Sequence, residues 1–282
     1  MKRIDLHIHT TASDGTFTPG EVVREAARLG LAAVAITDHD TAEAYLAAAA
    51  EGESCGLEVV PGIEISTKFR AAVHILGYYI DVNSPALEEV LDWMHRDREE
   101  RNVKLCAMLR ANGIHADIDE MHARFGEFIG KPHFAEILVE HGAARDMDDA
   151  FERLLNKNKP YFIPRQFLPL DRSVEIIREA GGVPVLAHPF QYRLDDASLR
   201  ELIEFCMEHG LEGIECRYSG YDAEKVAYLE SLAAEYGLVR TGGSDFHGAV
   251  KPEILLGRGK GELEVPYAFL GELRARWEER SS

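Results

Sequence analysis

Short apolar runs that end in a histidine or an acid, separated by stretches of helical periodicity, recur along most of this 282-residue chain. No other feature restricts the fold as much. Strands alternating with helices build α/β sheets or barrels, and residues at the carboxyl ends of such strands share one rim. The first run is Arg3-Ile4-Asp5-Leu6-His7-Ile8-His9. Side chains alternate across a strand, so His7 and His9 are expected on one face and Ile4, Leu6 and Ile8 on the other. Asp14 follows in the polar turn from Thr10 to Gly15, within reach of the same space. Two imidazoles and a carboxylate suit a divalent first-row metal.

The pattern continues in order. Thr18-Pro19-Gly20-Glu21 reads as a capped helix start, with the helix running to about Leu29 and closed by Gly30. Leu31 to Ile36 is a strand that delivers Thr37-Asp38-His39-Asp40, and a helix from Thr41 to Ser54 ends before Gly56. Leu57 to Val60 is the third strand, followed by Pro61-Gly62-Ile63-Glu64-Ile65-Ser66, in which Glu64 faces away from both isoleucines. Val73 to Ile80, the fourth strand, carries His74. The alternation then pauses. Ser84-Pro85 opens a long amphipathic helix ending at Asn112-Gly113, and short helices follow to about Arg165. Residues 82–165 are therefore predicted as a helical insertion that covers the mouth of a barrel formed by 1–81 and 166–282.

Beyond the insertion a helix from Asp171 to Ala180 precedes Val183 to Ala187, which leads into His188-Pro189. A helix ending at Gly210 precedes Gly213 to Cys216 and Arg217-Tyr218-Ser219. Another ends near Gly237, before Leu238 to Thr241 and Gly242-Gly243-Ser244-Asp245-Phe246-His247. A C-terminal helix from Pro266 to Glu279 is expected to close the barrel floor. The count is seven strands, in an α/β class fold.

The formal charge of −18 argues against a long nucleic-acid groove, which draws its affinity from Lys and Arg. A small anion is compatible with it where metals and a few local cations offset the field. No apolar run is long enough to span a membrane, and no leader pattern precedes the first strand. Cys55, Cys106, Cys206 and Cys216 lie far apart and form no CxxC pair, so reduced thiols and a cytoplasmic location are expected.

The strand ends together offer His7, His9, Asp14, His39, Glu64, His74, His188, Asp245 and His247. Three ions would use these nine, with Glu64 or Asp245 placed to bridge two. Carboxylates mixed with imidazoles favour manganese, iron or zinc over magnesium alone. His133 is the one further histidine given a role. The others, His95, His115, His122, His141 and His209, read as solvated surface.

The stretches Asp5–His9, Thr37-Asp38-His39, Pro61–Glu64, Ala187-His188-Pro189 and Gly243–His247 resemble the motifs of the PHP (polymerase and histidinol phosphatase) metallo-phosphoesterase superfamily. No motif position departs from the pattern. The resemblance implies a distorted seven-stranded β/α barrel with a trinuclear site whose ligands would be those nine residues; of the metals that the ligand types favour, manganese is expected first. Gly130-Lys131-Pro132-His133-Phe134-Ala135 and Arg98 to Asn102 are similar to insertion motifs of a branch acting on nucleotide phosphates. That branch implies hydrolysis of 3′,5′-nucleoside bisphosphates to the 5′-monophosphate, or 5′-3′ trimming of short 5′-phosphorylated RNA.

The expected chemistry is in-line attack of a metal-bound hydroxide on phosphorus. His188 and His247 are candidate proton donors to the departing oxygen, although a ligand imidazole donates poorly. Arg101, Lys131 and His133 are candidates for a phosphate clamp, with Arg217 and Ser219 reaching in from a strand end. Rival readings are an amidohydrolase barrel, a histidinol-phosphate phosphatase, and a non-catalytic metal-binding module accessory to a polymerase.

Overall fold

A computed structural model describes residues 2–70 and 72–281. Local chemistry accounts for the first crossover. Thr18 and Glu21 form a reciprocal cap on α1 (Pro19–Arg28), which links β1 (Arg3–Ile8) to β2 (Ala33–Ile36). A left-handed Gly56 ends α2 (Ala44–Cys55), and β3 (Glu58–Lys68) and β4 (Ala72–Tyr78) follow. Next come α3 (Pro85–Ala111), α4 (Ile118–Phe125), α5 (Lys131–Glu140) and α6 (Met147–Ala150), with one π-helical turn at Phe151–Leu155. The chain ends with β5 (Leu168–Pro169), α7 (Leu170–Glu179), β6 (Val183–Leu186), α8 (Asp196–Glu208), β7 (Gly213–Tyr218), α9 (Ala223–Tyr236), β8 (Val239–Gly243), β9 (Val265–Pro266) and α10 (Tyr267–Ser281).

Two compact units result, Met1–Val90 with Phe167–Ser282, and Leu91–Gln166. In the first, the strands run in the order β8-β7-β6-β4-β3-β2-β1-β9, with β5 paired to β3. The sheet curls until its ends meet at one rim, where the Asp245 amide donates to His7 O at 2.8 Å and the His9 amide to Phe246 O at 2.9 Å. This is a nearly closed α/β barrel. Seven of the nine strands among the described residues have four or more residues, and β5 and β9 are two-residue additions to the expected set.

Three details differ from the expected pattern. β3 does not stop at Val60. Pro61 is its last partner to β2, and from Gly62 onward it pairs antiparallel with β4. β4 also runs antiparallel to β6, so His74 lies near the amino end of its own strand. The reversal carries it to the same rim as the carboxyl ends of the parallel strands. Finally, Ile8 does not share a face with Ile4 and Leu6. Those two pack in the barrel core with Leu76, Tyr78 and Val185, whereas Ile8 packs against α1 and α2 beside Val22, Val34 and Ile36. A register shift between Asp5 and Ile8 separates the two packings.

Phe269, Leu270 and Leu273 of α10 join the barrel core and form its floor. The second unit has its own core around Leu105, Leu109, Met121, Phe134, Leu138 and Leu155. No helix among the described residues is long and apolar enough to cross a membrane.

Candidate metal centre

All nine strand-end residues converge at the barrel rim. They fall into four overlapping groups, His9/Asp14/His39/His247, His7/His9/Asp245, His7/Glu64/His188 and His39/Glu64/His74, with the potential ligand atoms of each within 4.8 Å of one another. Glu64 is the hub. Its Oε1 lies 2.9 Å from His74 Nδ1, 2.9 Å from His188 Nε2 and 3.4 Å from His7 Nε2, and its Oε2 lies 3.0 Å from His39 Nδ1 and 3.2 Å from His9 Nε2. Asp245 Oδ1 lies 3.2 Å from His9 Nε2, and Asp14 Oδ1 lies 3.3 Å from His247 Nε2.

The backbone is bent to achieve this. His188 and Asp245 adopt left-handed torsions, φ 23° and 58°, which non-glycine residues rarely hold without compensation from their surroundings. Asp38 fixes the turn carrying Asp14, accepting from the Thr10 amide, the Thr10 hydroxyl and the Ser13 hydroxyl at 2.6 Å each.

Other partners set the imidazole tautomers. Glu215, wholly buried on β7, accepts from His7 Nδ1 at 3.0 Å and from the His188 amide at 2.7 Å. His247 Nδ1 donates to the carbonyl of Asp245 at 2.8 Å. In both rings Nε2 is left turned to the carboxylates, the arrangement that prepares an imidazole for a metal. Sequence reasoning missed Glu215, although an acid inside the apolar run Gly213-Ile214-Glu215-Cys216 was a signal that the interior there is polar.

Buried His7 Nε2, His9 Nε2, His39 Nδ1 and Glu64 Oε2 have no hydrogen-bond partner. Such atoms are costly to bury unless something binds them. Charge compensation is strong. Burial would depress His9, but the Asp245 and Glu64 carboxylates overcome it and raise its pKa to about 9. Burial likewise opposes ionisation of His7, yet Glu215 and Glu64 hold its pKa well above the usual imidazole range. For His39 burial wins over Glu64 and Asp14, and its pKa falls to about 3. Glu64 and Asp14 are held well below the carboxylate range, despite burial, by their histidine neighbours.

The other candidates are placed differently. Arg217 does not face the cluster. Its guanidinium is held by Glu230 at 3.0 Å and by the Glu264 carbonyl at 2.7 Å. A register shift between Glu215 and Arg217 turns Tyr218 inward in its place, and the Tyr218 hydroxyl donates to Asp245 Oδ2 at 2.6 Å. The Ser219 hydroxyl is occupied by the Ser244 carbonyl at 2.5 Å, where it braces the loop before Asp245. Within the second unit, Arg101 is 6% exposed with Nε unpartnered. Burial, then the neighbouring Arg165, lowers its pKa to about 10. Lys131, at the start of α5, is lowered by burial and by Arg101 and Arg165. His133 Nδ1 accepts from the Gly130 amide at 2.9 Å, which leaves Nε2 as the protonated, donating nitrogen.

Known proteins resemble this chain in sequence and in fold. The family model of the PHP domain aligns with residues 5–168. The chain belongs to the PHP domain family. Among curated PHP relatives, the 5'-3' exoribonuclease Rnm of Escherichia coli K12 is 34% identical over 258 residues, which are 90% of this chain and 88% of that protein. The 3',5'-nucleoside bisphosphate phosphatase of Chromobacterium violaceum is 36% identical over 250 residues, 88% of each chain. A solved structure from Bifidobacterium adolescentis, provisionally designated a metal-dependent phosphoesterase, matches with a TM-score of 0.85 and 31% identity, covering 98% of this chain and 96% of that one. This PHP chain is a metal-dependent phosphoester hydrolase, and its metals are divalent ions.

Proposed function

We propose that this PHP protein hydrolyses 3′,5′-nucleoside bisphosphates to nucleoside 5′-monophosphate and phosphate. Three divalent ions, manganese first, would be held by His7, His9, Asp14, His39, Glu64, His74, His188, Asp245 and His247. The orphaned buried donors of His7, His9 and His39 and the free Glu64 oxygen fit such ions. Bound there, the ions supply Lewis acidity toward phosphoryl oxygens and acidify water so that it attacks phosphorus at neutral pH.

The chain's own residues do the rest. Glu215 and the Asp245 carbonyl keep His7 and His247 in the ligating tautomer. His188 and His247 act as ligands, so protonation of the leaving oxygen falls to solvent. The observation that carries the substrate assignment is the 36% identity, over 88% of each chain, to a 3',5'-nucleoside bisphosphate phosphatase; within the helical unit, burial and then cationic neighbours depress the pKa values of Arg101 and Lys131. Asp97 balances part of the charge on Arg101, and a phosphate is the kind of anion that such buried cations suit. His133, on the same helix as Lys131, is a further candidate for that anion. The 34% identity to an exoribonuclease supports a second reading, stepwise 5′-3′ hydrolysis of short 5′-phosphorylated RNA.

Manganese-loaded enzyme offered adenosine 3′,5′-bisphosphate and a 5′-phosphorylated RNA tetramer in parallel separates the two. AMP and phosphate from the first, with slow attack on the tetramer, is the expected result. Mononucleotides from the tetramer at comparable efficiency would replace the phosphatase reading by the nuclease.

Metal loading should also release protons. His9, with a pKa of about 9, and His7, raised above the usual range, carry protons at neutral pH in the metal-free protein. Their folded values lie above the unfolded ones, so the stability they contribute is full below about pH 6.5 and fades as pH rises through each folded value, about 9 for His9. A metal must displace those protons, so affinity rises with pH over that window. Calorimetric manganese titration at pH 7 in buffers of differing ionisation enthalpy should report release of about two protons per chain. Release of none would show that these imidazoles do not ligate.

A further inference from the structure

Asp245 is served by two donors on the oxygen that turns away from the histidines. While Oδ1 faces His9 and His7, Oδ2 accepts from the Tyr218 hydroxyl at 2.6 Å and from Lys251 Nζ at 2.8 Å. Lys251 lies six residues beyond Asp245, just after the short helical turn Gly248–Val250. Its side chain is 38% exposed, against 9% for Asp245, so it spans from solvent to the rim of the cluster. One donor is enough to orient a carboxylate oxygen. The second brings a cation on a long side chain to the edge of the site.

Charge balance gives that cation a role. With divalent ions bound, the three carboxylates Asp14, Glu64 and Asp245 no longer match the positive charge around them. An ammonium beside Asp245 then gains most from an incoming anion, and a long, partly exposed lysine can swing to meet one. We propose that Lys251 is a substrate-binding residue of this centre. Its ammonium passes Asp245 Oδ2 to Tyr218 and takes a non-bridging oxygen of the phosphoryl group undergoing hydrolysis, and afterwards of the phosphate product. This rests on the phosphoesterase reading above. It adds a fixed positive charge where negative charge develops on the phosphoryl oxygens, which is the place such a charge lowers a barrier.

The test compares manganese-loaded wild type with Lys251→Met, Lys251→Arg and Tyr218→Phe. Three quantities are read: bound manganese, calorimetric affinity for inorganic phosphate, and kcat and KM on adenosine 3′,5′-bisphosphate. Lys251→Met should retain its manganese, bind phosphate about tenfold more weakly and lose about a hundredfold in kcat/KM, with most of both restored in Lys251→Arg. Tyr218→Phe, which leaves Asp245 Oδ2 dependent on Lys251, should keep its manganese and bind phosphate more weakly than wild type. If Lys251→Met binds phosphate as wild type does, or loses its manganese, then Lys251 only orients Asp245 and the proposal is overturned. A wild type that hydrolyses no phosphoester overturns the functional reading instead, and the phosphate affinities of wild type and Lys251→Met still decide the place of Lys251.

Discussion

Replacing Glu64 with alanine is expected to reduce phosphoester hydrolysis by roughly a thousandfold or more, an effect of about 4 kcal/mol on the barrier. No other carboxylate in the centre lies against as many imidazoles. Five imidazoles, those of His7, His9, His39, His74 and His188, lie within 3.4 Å of its two oxygens. Two of the four candidate ligand groups contain it. Removing it would take a carboxylate from the groups that would hold the ions and leave the imidazoles without their counter-charge, so the loss should fall on metal content as well as on rate. Glu64→Gln separates the two effects. It keeps the shape and one acceptor oxygen but not the charge, and it should recover folding while still binding less manganese than wild type. Elemental analysis of purified protein beside steady-state kinetics is the measurement. Glu64→Ala protein that retains wild-type manganese and activity would remove Glu64 from the centre.

Much of this centre was legible because its chemistry is written at the ends of apolar runs. His39, His188, Asp245 and His247 each follow a short strand directly, and helix caps such as Thr18 and Gly56 mark the crossovers between strands. What was misread depended on pairing between distant segments. The direction of β4 follows from the gap after Lys68, since the three residues 69–71 can join antiparallel neighbours but not a parallel crossover. The shift in β1 that parts Ile8 from Leu6 is set by its pairing with β2, and the shift in β7 that turns Tyr218 inward and Arg217 outward is set by its pairing with β8. Neither leaves a local mark, because an irregular register is a property of two strands and the alternation rule sees one. Glu215 is the intermediate case. Its position in an apolar strand was visible, but its partner His7 is 208 residues away.

The closing seam of the barrel is where a single substitution should cost the most stability. A Cβ at Gly243 would lie 2.3 Å from both the backbone nitrogen and the Cβ of His7, closer than any real contact allows. The obstacle is backbone, so it cannot rotate away. β8 and β1 approach this closely because the seam is held by the Asp245 amide on His7 O at 2.8 Å and by the Ser244 amide on Asp5 Oδ1 at 2.8 Å. Gly243→Val must push the strands apart, break those bonds and strand their buried polar groups. Overpacking and unsatisfied groups together should destabilise by about 4 kcal/mol, lowering Tm by about 8–15 °C. The matching control is Gly271→Ala in α10, where an added Cβ meets nothing within 4 Å. Alanine there improves helix propensity and should raise stability by about 0.5–1 kcal/mol. The metal centre hangs on the same seam, because His7 and Asp245 stand on its two sides. Folded Gly243→Val protein should therefore also bind less manganese than wild type, whereas Gly271→Ala should bind as much. A Gly243→Val protein that melts with wild type and loads fully would mean that the rim is not closed by this contact, and that the two strands carrying His7 and Asp245 are positioned independently.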